Sequence, residues 1–130
     1  MLTEKDIFMT LRIKGNSIRI RLTKTEVSRL VATGYLEEHT AFVGNKLVYA
    51  LLSVDSGKEL SATFENNKLS MFVPYELIKG WPENNIVGFN SNMPVSQEET
   101  LYLLLEKDFA CLDEKMEDQT DHYDNPNKSC

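Results

Sequence analysis

Leu11, Ile13, Ile18, Ile20 and Leu22 alternate with polar residues on either side of Gly15-Asn16. A period of two marks a strand with one buried face, and Gly-Asn readily supplies the positive φ values of a two-residue turn. The pattern therefore predicts a hairpin pairing Ile13 with Ile18, Leu11 with Ile20 and Met9 with Leu22. Its other face then carries Arg12 opposite Arg19, flanked by Lys14 and Arg21. Like charges directly opposite each other destabilise a sheet unless something anionic lies over them. What the four cations face is thus the first functional question.

The period changes at "LTKTEVSRLVATGY". Thr23 and Glu26 form a T-x-x-E capping box, Leu22 and Val27 sit as a hydrophobic staple, and Gly34 is placed for a left-handed C-terminal cap, so a helix is predicted over about 24–33. Val27, Leu30 and Val31 give it one apolar stripe. Strand patterns then resume. Gly44-Asn45 would turn "LEEHTAFV" into "KLVYALLSV", pairing Phe42 with Leu47. The second of these strands is apolar on both faces, as for a central strand covered on each side. Asn66-Asn67 would pair Phe64 with Leu69, Ala62 with Met71 and Glu65 with Lys68. Pro74 suits the start of a short helix over about 75–79, and Gly80 and Pro82 end it. Strands near 85–89 and 100–109, joined by a polar loop containing Pro94, complete the body.

The pattern predicts an α+β domain, predominantly antiparallel β: about eight strands in a meander that curls toward a barrel or a sandwich, with two helices. Phe42, Phe64, Phe72 and Phe89 are assigned to its core.

Length and charge narrow the picture. The 130 residues, 42% apolar, suit one compact domain. Residues 1–105 hold 11 Lys and Arg against 12 Asp and Glu, a net -1, whereas residues 106–130 hold 3 against 8, a net -5. The reading is a domain over 1–112, with 1–8 peripheral, and an acidic tail over 113–130 that stays solvated. No stretch approaches the roughly 18 consecutive apolar residues of a membrane helix, and MLTEKDIF has acids where a secretory signal needs cations, which predicts a cytosolic protein. Cys111 and Cys130 lie outside any CxxC spacing and read as free thiols.

"RIKGNSIRIRLTKTEV", with "EKDFACLDE" and "YDNPN" near the end, resembles a family of small bacterial proteins of unknown function, over roughly Met9 to Asn127. The resemblance implies a small single-domain protein that begins near the first strand. It carries no activity, cofactor or catalytic residue to transfer.

Motif chemistry is sparse. The dinucleotide, phosphate-loop, zincin and nucleophile-elbow patterns do not occur. His39 and His122 are the two histidines; His39 reads as a sheet residue. Cys111 lacks an electropositive setting, because its neighbours Asp108 and Asp113 work against a thiolate. Asp108, Cys111, Asp113, Asp118, Asp121, His122 and Asp124 gather oxygen, sulfur and imidazole donors within 17 residues, but their spacing matches neither a calcium loop nor a zinc motif. Nucleic-acid binding would require aromatics interleaved with the cations and a basic background, and the hairpin has neither.

The sequence thus points to a non-catalytic binding module without a cofactor. Its Arg12, Lys14, Arg19 and Arg21 face an anionic ligand, an acidic protein partner or the chain's own acidic tail, unless Glu37, Glu38 or Glu59 from other strands neutralise them. The alternative is a small enzyme using Cys111, or a metal held by Asp108, Cys111 and His122.

Overall fold

The structure, a computed structural model, describes residues 9–109. Eight strands are present: β1 (Thr10–Lys14), β2 (Ser17–Leu22), β3 (Tyr35–Phe42), β4 (Asn45–Val54), β5 (Ser61–Glu65), β6 (Lys68–Pro74), β7 (Gly88–Pro94) and β8 (Thr100–Lys107). The helix α1 (Lys24–Thr33) follows β2, and α2 (Tyr75–Ile78) follows β6, succeeded by a 3-10 turn at Trp81–Glu83. The fold is α+β, mostly β, and does not close into a barrel.

The local signals act where they stand. Glu26 N donates to Thr23 Oγ1 at 3.3 Å while Thr23 N donates to Glu26 Oε1 at 2.8 Å, completing the capping box. Gly34, at φ 80°, closes the helix with its N–H on Leu30 O at 2.8 Å. The first hairpin has the predicted register, with Ile13 opposite Ile18 and Arg12 opposite Arg19. The third turns through Asn66 and Asn67, both at positive φ, and pairs Phe64 with Leu69 and Glu65 with Lys68.

Three details depart from the sequence reading. The second hairpin turns at Val43-Gly44, so Phe42 pairs with Asn45 and Leu47 with Thr40. Only Gly44 takes a positive φ there, and Asn45 begins β4, where its Oδ1 accepts from Asn67 Nδ2 at 2.8 Å. β7 lies at Gly88–Pro94, later than 85–89, because Phe89, Ser91 and Met93 face inward while Asn90, Asn92 and Pro94 face out. An edge strand tolerates these polar residues and a terminal proline. Finally, Phe42 and Phe64 are 63% and 64% exposed, beyond the reach of the core.

The hairpins do not form a meander. One sheet, A, has the order β1-β2-β8-β7 and the other, B, the order β3-β4-β6-β5. Each is two antiparallel hairpins joined by a central parallel pair, β2 with β8 and β4 with β6. This arrangement puts both hairpin turns of a sheet at one end. At the other end α1 packs on β2, β3, β4 and the 3-10 turn, gathering the helical segments there.

The two sheets share one core, with Ile18, Ile20, Leu22, Leu103 and Leu105 from A and Leu36, Leu51, Leu69, Met71 and Val73 from B. Val27, Leu30, Ile78 and Trp81 seal the helical end. On one side the sheets are tied directly, since Ser91 Oγ of β7 donates to Leu60 O at 2.8 Å and Ala62 N of β5 meets Met93 Sδ at 3.4 Å. Among the described residues no helix is long and apolar enough to cross a membrane.

Candidate functional site

Inward-facing Ile18, Ile20, Leu103 and Leu105 dictate what the outer face of sheet A presents, because strand neighbours point to opposite sides. That face carries Arg12 and Lys14 on β1, Arg19 and Arg21 on β2, and Tyr102, Leu104 and Glu106 on β8. The four cations do fall together on one surface, and one carboxylate joins them.

Glu106 comes to the ladder from 85 residues away, through the parallel pairing of β2 with β8. Its Oε1 lies 3.2 Å from Arg21 Nη2 and 4.0 Å from Arg19 Nε, and its side chain is 16% exposed beneath them. Glu37, Glu38 and Glu59 do not take this place: Glu37 and Glu38 lie on β3 of the other sheet and Glu59 just before β5. Glu37 instead pairs with Lys68 at 3.7 Å and accepts from the Tyr35 hydroxyl, on which Lys68 Nζ also donates at 2.8 Å.

Within the described residues no carboxylate lies at ion-pair distance from Arg12 or Lys14. These two, with Arg19, Ser17, Tyr102 and Leu104, line a hollow of about 160 Å³ on the sheet surface. The guanidinium groups present planar forks, the ammonium a compact point charge, and the tyrosine and serine hydroxyls add neutral donors. Such a set has the charge and the hydrogen-bond donors to pair with oxyanions. Tyr102 and Glu106 were not singled out by sequence patterns, since their place beside the ladder depends on a pairing with no short-range signal.

A second cavity, about 460 Å³, opens at the helical end between Leu22, Val27, Pro82, Lys24, Lys107 and Asp108. Asp108 N donates to Leu22 O at 2.8 Å, fixing where the chain leaves β8. Asp108 is thus at this end, whereas Cys111 and His122 lie outside the described residues. No group of three metal-donor side chains occurs among the described residues. His39 is exposed on β3.

Close by, Glu26 is completely buried, and its Oε2 has no hydrogen-bond partner among the described residues. Burial pushes its carboxyl above the ordinary range, against the hydrogen bonds from Thr23, with Glu38 and Asp108 adding repulsion. Burial likewise raises Tyr49. The pair belongs to the packing between helix and sheet, away from the cationic face.

The fold and this face define a small two-sheet α+β protein whose sheet A presents a basic surface. Over residues 9–127 the chain belongs to a family of unknown function, DUF7009. The match starts at Met9, whose buried side chain belongs to the core. Comparison with curated proteins and with solved structures gives no match.

Proposed function

We propose that this protein is a small binding module that holds an acidic polypeptide on the outer face of sheet A. The observation that carries the reading is the imbalance on that face, where Glu106 engages Arg21 and reaches Arg19 while Arg12 and Lys14 stay open around the Tyr102 hollow. Alternate residues of a strand repeat at about 6.8 Å, the same repeat as alternate carboxylates on an extended peptide laid beside it. Each exposed contact contributes only a few tenths to ~1 kcal/mol, so binding needs several charges at once and weakens with salt.

One acidic polypeptide is already tethered nearby. The chain leaves β8 beside Leu22, at the Arg21 end of the ladder, and the segment after Leu112 is rich in Asp and Glu. This segment lies outside the described residues and acts, in this reading, as an internal competitor.

Binding of poly-L-glutamate and retention on heparin, measured at low and high salt, test the reading. Full-length protein should bind weakly at low salt and lose binding at high salt. Truncation after Leu112 should strengthen binding, and Arg12→Ser/Arg19→Ser should abolish it. Binding indifferent to the two arginines would overturn the reading; equal binding before and after truncation would remove the internal competitor alone.

A further inference from the structure

Two strand edges, those of β1 and β3, lack a pairing strand among the described residues. The sheets end in β1 and β7 in one case and β3 and β5 in the other. β7 and β5 are tied by the Ser91–Leu60 hydrogen bond, which leaves β1 and β3 bordering the opposite side. Among the described residues no strand pairs with the outer edge of either, so both present rows of backbone N–H and C=O groups.

Their charges are opposite. β1, TLRIK, carries Arg12 and Lys14 and no acid; β3, YLEEHTAF, carries Glu37 and Glu38 and no Lys or Arg, with Lys68 of β6 lying 3.7 Å from Glu37. Inward-facing residues at this side are also uncovered: Ile13 is 59% and Phe42 63% exposed, although Leu11 and Leu36 on the same strand faces join the core. Charged edges commonly guard against aggregation. Here like charges do guard against β1 pairing with another β1, and β3 with another β3, but they favour β1 pairing with the β3 of a second copy.

We propose that this open side is a dimer interface, occupied by a second copy of the chain. β1 and β3 both run from the helical end toward the hairpin turns. A two-fold axis parallel to the strands therefore sets β3 of one copy along β1 of its partner, in parallel, and simultaneously the reverse. Sheet A of each copy continues into sheet B of the other. Because both edges lie on one side, two copies close the contact and no fibre propagates. Ile13 and Phe42 gain cover, and the rows of edge amides gain partners. The inference shares Arg12 and Lys14 of β1 with the anion reading, whereas Glu37 lies on the other sheet, so Glu37→Lys probes the contact between copies without touching the anion-binding face.

Sedimentation velocity on the full chain over a wide concentration range should reveal a monomer–dimer equilibrium. Arg12→Glu/Lys14→Glu, which makes both edges acidic, should lose self-association, and so should Glu37→Lys, which offsets the acidity of β3 and puts a cation opposite the partner's basic edge. An equimolar mixture of these two variants should form a heterodimer, because the acidic β3 of the first meets the basic β1 of the second, and the cation at position 37 of the second meets the acidic β1 of the first. Thermal melting of each variant establishes that it is folded. A wild-type protein that stays monomeric throughout, variants that dimerise as the wild type does, or a mixture of folded variants that stays monomeric would overturn the proposal.

Discussion

Sheets A and B share a plan, two hairpins joined through a central parallel pair, yet their outer faces have different chemistry. Sheet A presents Arg12, Lys14, Arg19 and Arg21 with Glu106 as the sole acid among the described residues. Sheet B presents half-buried Val48, Leu52 and Phe72 beside the Tyr35–Glu37–Lys68 network, in which cation and acid balance. The cover expected on both sides of β4 is present on one side only among the described residues. Backbone topology is thus common to the sheets, while the means of recognition is a property of side chains placed on it.

The shared core makes the largest expected effect a joint one. Met71→Ala in sheet B and Leu103→Ala in sheet A should each cost about 2–5 kcal/mol, and both should shift a single denaturant transition, because each side chain is fully buried in the same cluster. Separate transitions for the two sheets in either variant would contradict a common core.

Next in size is Gly88→Ala. A Cβ there would come within 2.5 Å of Leu105 O and 2.8 Å of Glu106 Cβ, a clash with backbone that costs roughly 1–3 kcal/mol. It strikes sheet A alone, beside the carboxylate of the cationic face. A variant as stable as the wild type would place β7 differently.

Thr23→Ala should cost about 1 kcal/mol, read from the denaturant midpoint, by removing the cap of α1. Glu26 adds a pH signature. Its carboxyl is raised by burial, so the folded state favours the protonated form, and stability falls as pH rises from the ordinary carboxylate value through the raised one. Glu26→Gln keeps an acceptor for Thr23 and has no charge to bury. Its stability relative to the wild type should therefore improve as pH rises from the ordinary carboxylate range toward neutrality. A difference that does not change with pH would mean that Glu26 is solvated.

The smallest effect is expected for Glu106→Gln. Its ion pairs with Arg19 and Arg21 are partly exposed, so loss of stability should stay within a few tenths to ~1 kcal/mol. Polyanion binding should strengthen as the one carboxylate leaves the face. The matching change in sheet B, Glu37→Gln, should leave polyanion binding as it is, and a gain there equal to that of Glu106→Gln would erase the distinction between the two faces.

Hairpins and the capped helix were legible in the sequence because their causes are short-range. Period-two apolar residues, Gly and Asn at positive φ, and Thr23 three residues before Glu26 act over a few positions, and they place Ile13 against Ile18 and α1 at Lys24–Thr33. The same reasoning misjudged the Val43-Gly44 turn by one position, since Gly44-Asn45 offers an equally good local pair. It set β7 near 85–89 and gave the rest of Gly88–Pro94 to a loop, where burial of Phe89 and Met93 outweighs the low strand preference of asparagine.

Four cations on one face of a hairpin could be read from alternation, and their neighbour could not. Glu106 reaches Arg21 because β8 lies parallel to β2, a pairing between segments far apart in sequence whose selection depends on how both apolar faces fill one core. The order of hairpins within each sheet and the hollow at Tyr102 follow from that same packing. Local propensity specifies elements, whereas burial of the common core, which acts without regard to sequence separation, specifies which elements meet.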